Sequence, residues 1–399
     1  MHAYSTDCES AATAPARGIR VCVVLESHYL AAMGGAEYQA HLLCEALAAR
    51  DDVSLIYLAR HVPDDDRRVN LPYELRCVGS AAGLRRRAVL FDAPGLWKAL
   101  CDLRPDVIYQ RMKQSYTGIC GWYARKAGIP LVFHAAHDLD LRAGWVRRLR
   151  WGNLPLDLAE EALGNFGVRA ASHVVVQSRR QRESLRRNFG IDAAAVVPNF
   201  QPLPETLPEK PGDKVRVLWV ANFKYAKRPE LFLRLAGRFA GRGDVHFLMV
   251  GRASDHRSLR DLPQRLQRLP NLDYLGPLPL ERVEALMAQA DIFVNTSRDE
   301  GFPNTFIQAW ARGAVVTSLT VDIDDGLQAL GIGYCAGDFE NLVKIVDHLS
   351  RSPEKRREIA RRAFAYVHAN HSLQGTAHLA DLIVAAAQAR ARPLPAPST

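Results

Sequence analysis

Thr296-Ser-Arg-Asp-Glu-Gly-Phe-Pro-Asn-Thr-Phe-Ile-Gln-Ala-Trp-Ala-Arg-Gly313 decides the fold of this chain. The apolar run that leads into it, Asp291-Ile-Phe-Val-Asn-Thr-Ser297, reads as a buried strand. A loop with Glu300, Gly301 and Pro303 follows, and Asn304 or Thr305 then caps a short helix that Gly313 stops. Strand, glycine-bearing loop and helix N-terminus together hold phosphate well. Free N–H groups and the positive end of the helix dipole meet at one place. Glu300 stands before that place and Gln308 about one turn into the helix. A carboxylate repels phosphate, so Glu300 suits sugar hydroxyls. Phosphate beside hydroxyl acceptors points to a nucleotide sugar. The plainer alternative is an ordinary strand–turn–helix whose acid faces water.

The same alternation runs outward in both directions. Strands are expected at 19–25, 53–59, 74–79, 107–111, 130–134, 173–178 and 196–200, with helices after 35, at 116–127 and at 179–189. Gln201 to Asp213 contains four prolines and a glycine and reads as a linker. The pattern then restarts, with strands at 215–220, 246–251, 272–276, 291–297 and 314–319. Pro229 starts a helix and Asp338 caps another. Alternating strands and helices imply two α/β, doubly wound, Rossmann-like domains facing across a cleft. Ligands then sit at the carboxyl ends of the strands. The expected layout is a tail 1–18, a first domain 19–200, a linker 201–213 and a second domain 214–370. A last helix at 371–392 and a tail 393–399 complete it. The last helix carries an apolar face of Leu379, Leu382, Ile383, Ala386 and Ala387.

Composition narrows the function classes. The chain has 399 residues, 48% of them hydrophobic, enough for two cores. Its seven cysteines are scattered with no C-x-x-C pair, so no zinc ribbon or redox dithiol is expected. No metal and no other cofactor is expected. No stretch reaches the length of a membrane span, and the start lacks the apolar core of a signal peptide. The expected place is the cytoplasm. Net charge is +9, which suits phosphate-bearing substrates, an anionic membrane surface or nucleic acid. No nucleic-acid-binding motif accompanies it, so no nucleic-acid partner is expected.

Further candidates lie at other loops. Gly34 and Gly35 let backbone approach a ligand closely before a helix, or answer a need for positive φ. They are not part of G-x-G-x-x-G, so a nicotinamide dinucleotide is disfavoured. Asn222-Phe-Lys-Tyr-Ala-Lys227 offers two cations, Lys224 and Lys227, to a phosphate or to solvent. His134 ends a strand, with His137 as its rival. Asp138 and Asp140 contact an acceptor or cap a turn. Arg85–Phe91 and Trp145–Trp151 mix cations with large apolar groups, as segments lying on an anionic bilayer do and as solvated helix faces also do.

Glu300-Gly-Phe-Pro-Asn304, with a polar residue at 308, resembles the E-x7-E region of retaining glycosyltransferases of family 4, which have the GT-B fold. The resemblance extends over most of residues 19–370. It implies transfer of a sugar from a nucleotide-diphosphate sugar to an acceptor hydroxyl without metal, with the catalytic set His134, Glu300 and Lys227. It implies donor contacts at Gly34, Gly35, Asn222, Lys224, Lys227, Gly301, Phe302, Pro303, Asn304, Thr305 and Gln308. In the family an Arg stands where this chain has Asn222, and a second Glu where it has Gln308. Family members act in exopolysaccharide and other cell-surface glycan synthesis, which implies a lipid-linked glycan acceptor and the cytoplasmic face of an inner membrane. The other readings are a nucleotide-sugar epimerase of the same fold and a non-catalytic sugar-nucleotide or membrane-binding module. In this fold a C-terminal helix crosses back to the first domain.

Overall fold

A computed structural model describes residues 18–32, 34–64, 70–79, 92–143, 154–212, 214–253 and 261–391. The first sheet is built from β1 (Ile19–Val24), β2 (Val53–Ala59), β3 (Glu74–Cys77), β4 (Val107–Arg111), β5 (Leu131–His134), β6 (His173–Val176) and β7 (Ala195–Val196). Between them lie α1 (Gly35–Ala48), α2 (Ala93–Leu103), α3 (Ser115–Ala127), α4 (Leu154–Ala170) and α5 (Arg179–Phe189). Strand order is β3-β2-β1-β4-β5-β6-β7, parallel throughout. The order reverses between β1 and β4, which opens a crevice at their carboxyl ends. Expected strands 130–134 and 173–178 are slightly shorter, and α5 starts and ends as read, between the Ser178 cap and Gly190 at positive φ. Helices α2 and α4 go beyond the sequence expectation.

The second sheet repeats the plan. It contains β8 (Val215–Val220), β9 (Val245–Val250), β10 (Leu272–Tyr274), β11 (Ile292–Asn295), β12 (Val315–Ser318) and β13 (Gly333–Cys335). Its order, β10-β9-β8-β11-β12-β13, is again parallel and reverses between β8 and β11. Helices α6 (Pro229–Arg238), α7 (Leu262–Gln267), α8 (Leu280–Gln289), α9 (Asn304–Ala311), α10 (Phe339–Arg351) and α11 (Pro353–Asn370) cover its faces. The strands are near-continuous apolar runs because both faces are buried.

Two crossings join the domains. Residues 201–212 form no helix or strand, yet they are fastened to the second domain. Lys210 donates to the carbonyls of Met287, Ala288 and Arg312, and burial pulls its pKa down to about 8. The final helix, α12 (Gln374–Ala391), returns to the first domain. Its Leu379, Ala380, Ile383 and Val384 join Val21, Leu43 and Tyr109 in one core, and Arg50 pairs with Asp381 at 2.6 Å.

Helices α3 and α4 cross with almost no side chain between them. A Cβ on Gly118 would stand 2.5 Å from the Leu163 carbonyl oxygen, and one on Gly167 would stand 2.3 Å from the Thr117 carbonyl. The i,i+3 glycine pairs 118/121 and 164/167 bring the backbones together, as small residues do at close helix crossings. Gly167→Ala must push the helices apart, so it should destabilise by about 1–3 kcal/mol, the usual cost of overpacking. Gly241→Ala, where an added methyl meets nothing within 4 Å, serves as the neutral control. Urea denaturation of both variants measures the difference.

Candidate active site

The loops after β1, β4, β8 and β11 all open at the two reversal points, so the cleft is made by the topology. On the second-domain side, the loop after β8 enters a one-turn 3-10 helix, Tyr225–Lys227. Lys227 is ion-paired with Glu300 from the loop after β11. The two expected chemical groups therefore meet, although 73 residues separate them. Arg228, not singled out by its sequence context, stitches the two loops together. It donates from Nε to the Thr296 carbonyl at 2.6 Å and from a terminal nitrogen to the Ser297 carbonyl at 3.0 Å. Its φ of 48° is left-handed, a conformation held against a small backbone cost by these bonds. Asn222 and Lys224 are both exposed in the same loop.

The helix after the loop starts one residue earlier than a side-chain cap at Asn304 or Thr305 would allow. Pro303 is the N-cap and offers no side-chain acceptor. The Asn304 side chain instead reaches the first domain. Its Nδ2 donates to the Gly35 carbonyl at 3.2 Å, and its Oδ1 accepts from Asn199 at 2.9 Å. Thr305 takes the second helical position and Gln308 the fifth, the latter buried on α9. Gly313, at φ 71°, ends the helix as read.

The first domain closes on this loop at backbone distance. A Cβ on Gly301 would stand 2.6 Å from the Ala136 carbonyl oxygen and 3.1 Å from the His137 Cα. The Phe302 N–H donates to Gln177 Oε1 at 3.1 Å, so it is spoken for and cannot also hold a phosphate. The open amides are those at the start of α9, beginning with Asn304 and Thr305. Gly34 and Gly35 face them from the head of α1. Glu37, in the first turn of α1, has its carboxyl pKa raised by burial. The charges of Lys224 and Arg111 act against that rise, which puts Lys224 within electrostatic range of the glycine loop.

Two first-domain expectations are corrected. His134 is not at the mouth of the cleft but fully buried. Its Nδ1 lies 2.8 Å from Arg111 and 2.9 Å from the Tyr109 hydroxyl. Burial first, then the Arg111 charge, press its pKa well below the ordinary value, against a hydrogen bond to the Val197 backbone. A ring so enclosed cannot touch a sugar. His137, its rival, is half-buried under Gly301, with Nδ1 accepting from Leu139 N–H. Asp140 is also buried, and its Oδ2 accepts from the N–H groups of Ala136 and His137. It closes the turn and cannot reach an acceptor. Asp138 accepts from Gln181 and pairs with Arg180 at 3.4 Å. It lines a crevice of about 290 Å³ between the domains, opposite Asp324 and Asp325. The basic segments 85–91 and 145–151 lie outside the described residues. Among the described residues no group of three His, Cys, Asp or Glu could hold a metal ion, and no helix is long and apolar enough to cross a membrane.

Known proteins share this architecture. Residues 33–201 match the model of Glycosyltransferase Family 4, and residues 214–351 that of Glycosyl transferases group 1. The chain belongs to glycosyltransferase family 4. EpsF of Bacillus subtilis is 29% identical over 225 residues, 53% of this chain and 57% of EpsF. The match thus spans little more than half of that relative. D-inositol 3-phosphate glycosyltransferase of Mycolicibacterium smegmatis is 27% identical over 343 residues, 79% of this chain and 72% of that protein. Among solved structures, Anabaena HepE in complex with UDP and glucose superposes with a TM-score of 0.69 at 18% identity, covering 92% of this chain and all of HepE. The two parallel sheets are the GT-B fold, and this family 4 glycosyltransferase builds its cleft from both.

Buried histidines make stability depend on pH. Burial lowers the pKa of His28 and of His371 from 6.5 to about 4, and His134 shifts the same way. Each is neutral when folded and takes up a proton when unfolded, so the unfolded state binds more protons below about pH 6.5. Stability should therefore hold above that value and fall as the pH drops from 6.5 toward 4. Each histidine forfeits at most about 1.4 kcal/mol per pH unit. Thermal midpoints measured between pH 7 and 5 check this; a flat profile would mean the rings are charged or solvated in the native state.

Proposed function

We propose that this glycosyltransferase is a retaining enzyme that takes its sugar from a nucleotide-diphosphate donor. The observation that carries the reading is the Lys227–Glu300 pair in the loops that lead to α9, whose first residue, Asn304, meets Gly35 of the first domain. A diphosphate suits Lys227, Lys224 and the α9 N-terminus, where a cation and helix amides stabilise charge as it builds on a leaving group. Glu300 then exchanges its lysine for the hydroxyls of the sugar. Gln308, one turn along α9, suits the ribose, and Asn222 and Thr305 are assigned to the same donor. HepE, crystallised with UDP and glucose, supports a uridine diphosphate donor as the first to try.

In the proposed reaction the acceptor hydroxyl attacks the anomeric carbon from the face the nucleotide leaves. The bond from that carbon to the phosphate oxygen breaks as the bond to the acceptor oxygen forms. The hydroxyl proton passes to the departing phosphate oxygen, so no protein nucleophile and no metal is needed. His137, beside Gly301, takes over the sugar-facing role that the sequence assigns to His134.

Lys227→Ala should lower kcat by roughly a hundredfold or more, about 3 kcal/mol of barrier, with little change in thermal midpoint. Glu300→Ala should weaken binding of the intact donor while sparing the free nucleoside diphosphate. Calorimetry with both ligands separates the two roles; equal losses for both ligands would place Glu300 off the sugar.

The acceptor we infer is a lipid-linked glycan at the cytoplasmic face of an inner membrane, in exopolysaccharide or another cell-surface glycan pathway. The net charge of +9 supports this. So does a cation–aromatic surface on α2 and α3. There Trp122 is 62% exposed, its ring 5.2 Å from Trp97, and the Lys126 ammonium lies 5.5 Å from the Trp97 ring. Indole rings and cations at one surface suit an anionic bilayer. Vesicles containing anionic lipid should sediment the protein at low salt and release it as salt rises, since screening acts within about 10 Å at 0.1 M. Trp122→Ser together with Arg86, Arg87, Arg147 and Arg148→Ser should abolish sedimentation. Equal binding to neutral vesicles would overturn the membrane reading.

A further inference from the structure

The loop that carries Glu300 belongs to the second domain, yet its backbone is held by amides of the first. Asn199 is the centre of this contact. Its Nδ2 donates to the Phe302 carbonyl at 3.0 Å and to Asn304 Oδ1 at 2.9 Å. Its Oδ1 accepts from Arg111 at 2.8 Å, and its own backbone carbonyl lies 2.7 Å from His371 Nδ1. Gln177 holds the Phe302 N–H from the other side. Phe302, two residues after Glu300, is thus gripped at both its N–H and its C=O by the opposite domain.

Arg111 gives Asn199 its direction. It is 1% exposed, and its guanidinium spans Tyr109, His134 and Asn199 from the end of β4. No carboxylate pairs with it among the described residues, and its Nε is buried without a partner. A buried cation of this kind is costly to the fold, and no part of the proposed chemistry uses it directly. What it does hold is the amide orientation of Asn199. With Oδ1 bound to a guanidinium, Nδ2 has to face the two acceptors on the loop. Asn304 then passes the contact on to Gly35.

We propose that Asn199, oriented by Arg111, is the positioning residue that couples closure of the two domains to the register of the Glu300 loop. Closure brings Asn199 against Phe302 and Asn304, which sets Glu300 and the start of α9 for the donor. In the open form the loop loses both first-domain bonds. This inference rests on the reading of the Glu300 loop as the donor site, and the experiment below separates the two.

Asn199→Asp isolates the claim. Aspartate keeps an acceptor for Arg111, now as an ion pair, but has no N–H for the Phe302 carbonyl or Asn304. The fold should hold, with a thermal midpoint at or above that of the wild type. The cleft should open, seen as a larger radius of gyration by small-angle X-ray scattering without ligand. Transfer from a nucleotide sugar should fall through kcat by about a hundredfold, the scale of a misplacement near 1 Å, with nucleoside diphosphate affinity unchanged within about twofold. Arg111→Lys, which keeps the charge but not the fork, should cause a smaller loss. The double variant should be no worse than Asn199→Asp alone, because one residue acts through the other. Wild-type transfer and an unchanged radius in Asn199→Asp would overturn the proposal. So would a midpoint that falls in step with activity, and additive losses in the double variant would remove Arg111 from it. If the wild type transfers no sugar while Asn199→Asp still expands, the donor reading fails and the coupling of closure to loop register stands.

Discussion

Everything at the cleft depends on the second domain approaching the first at backbone distance over Gly301. There is no room for a Cβ between it and Ala136. Once the loop is that close, its peptide groups lose water and need partners from the other domain. Gln177 and Asn199 supply them. The contact is therefore directional and short-ranged, unlike an apolar patch that tolerates sliding. A fraction of an ångström of domain rotation costs hydrogen bonds, and the geometry of the site is tied to the relative position of the domains.

A second contact works by a different physics. On the hinge side of the cleft, Asp324 of the second domain accepts from the N–H groups of Arg179 and Arg180 and so caps α5 of the first. Asp325 pairs with the Arg179 side chain. These groups are exposed, so the attraction is weakened by solvent and salt and is worth little when isolated. It differs in this from the buried amide bonds, which salt screens much less. Both contacts come from the segments that follow first-domain strands β6 and β7.

The parts of this molecule that the sequence shows are those governed by local rules. Helix α5 is legible because Ser178 caps it and Gly190 takes the left-handed position after it. The sheets are legible from apolar runs. Helix α4 stays hidden because its burial against α3 is made by glycines, which leave no apolar stripe; the paired 118/121 and 164/167 spacing is the available sign. His134 misleads for a related reason. It follows Leu131-Val-Phe133, and a residue continuing a run buried on both faces is buried too, whatever its chemistry. Asn304 looks like a helix cap in one dimension, but its amide is drawn to the other domain. The pairing of Arg111 with Asn199 carries no local signal, since 88 residues of chain separate them.

The crossing-back of α12 fits the same logic. A cleft between two domains joined by one strand of chain could twist as well as open. Here the chain passes between the domains twice, at the linker and again before α12. Lys210 secures the linker to the second domain, and Leu379 and Ile383 secure α12 in the core of the first. Asn199 and His371, one from each crossing, are bonded to each other at 2.7 Å. Two tethers so joined act as one hinge line and favour opening and closing about it over twisting. The Asn199 side chain stands at that line and reaches the Glu300 loop, so the smallest motions of the hinge are transmitted directly to the loop that would hold the sugar.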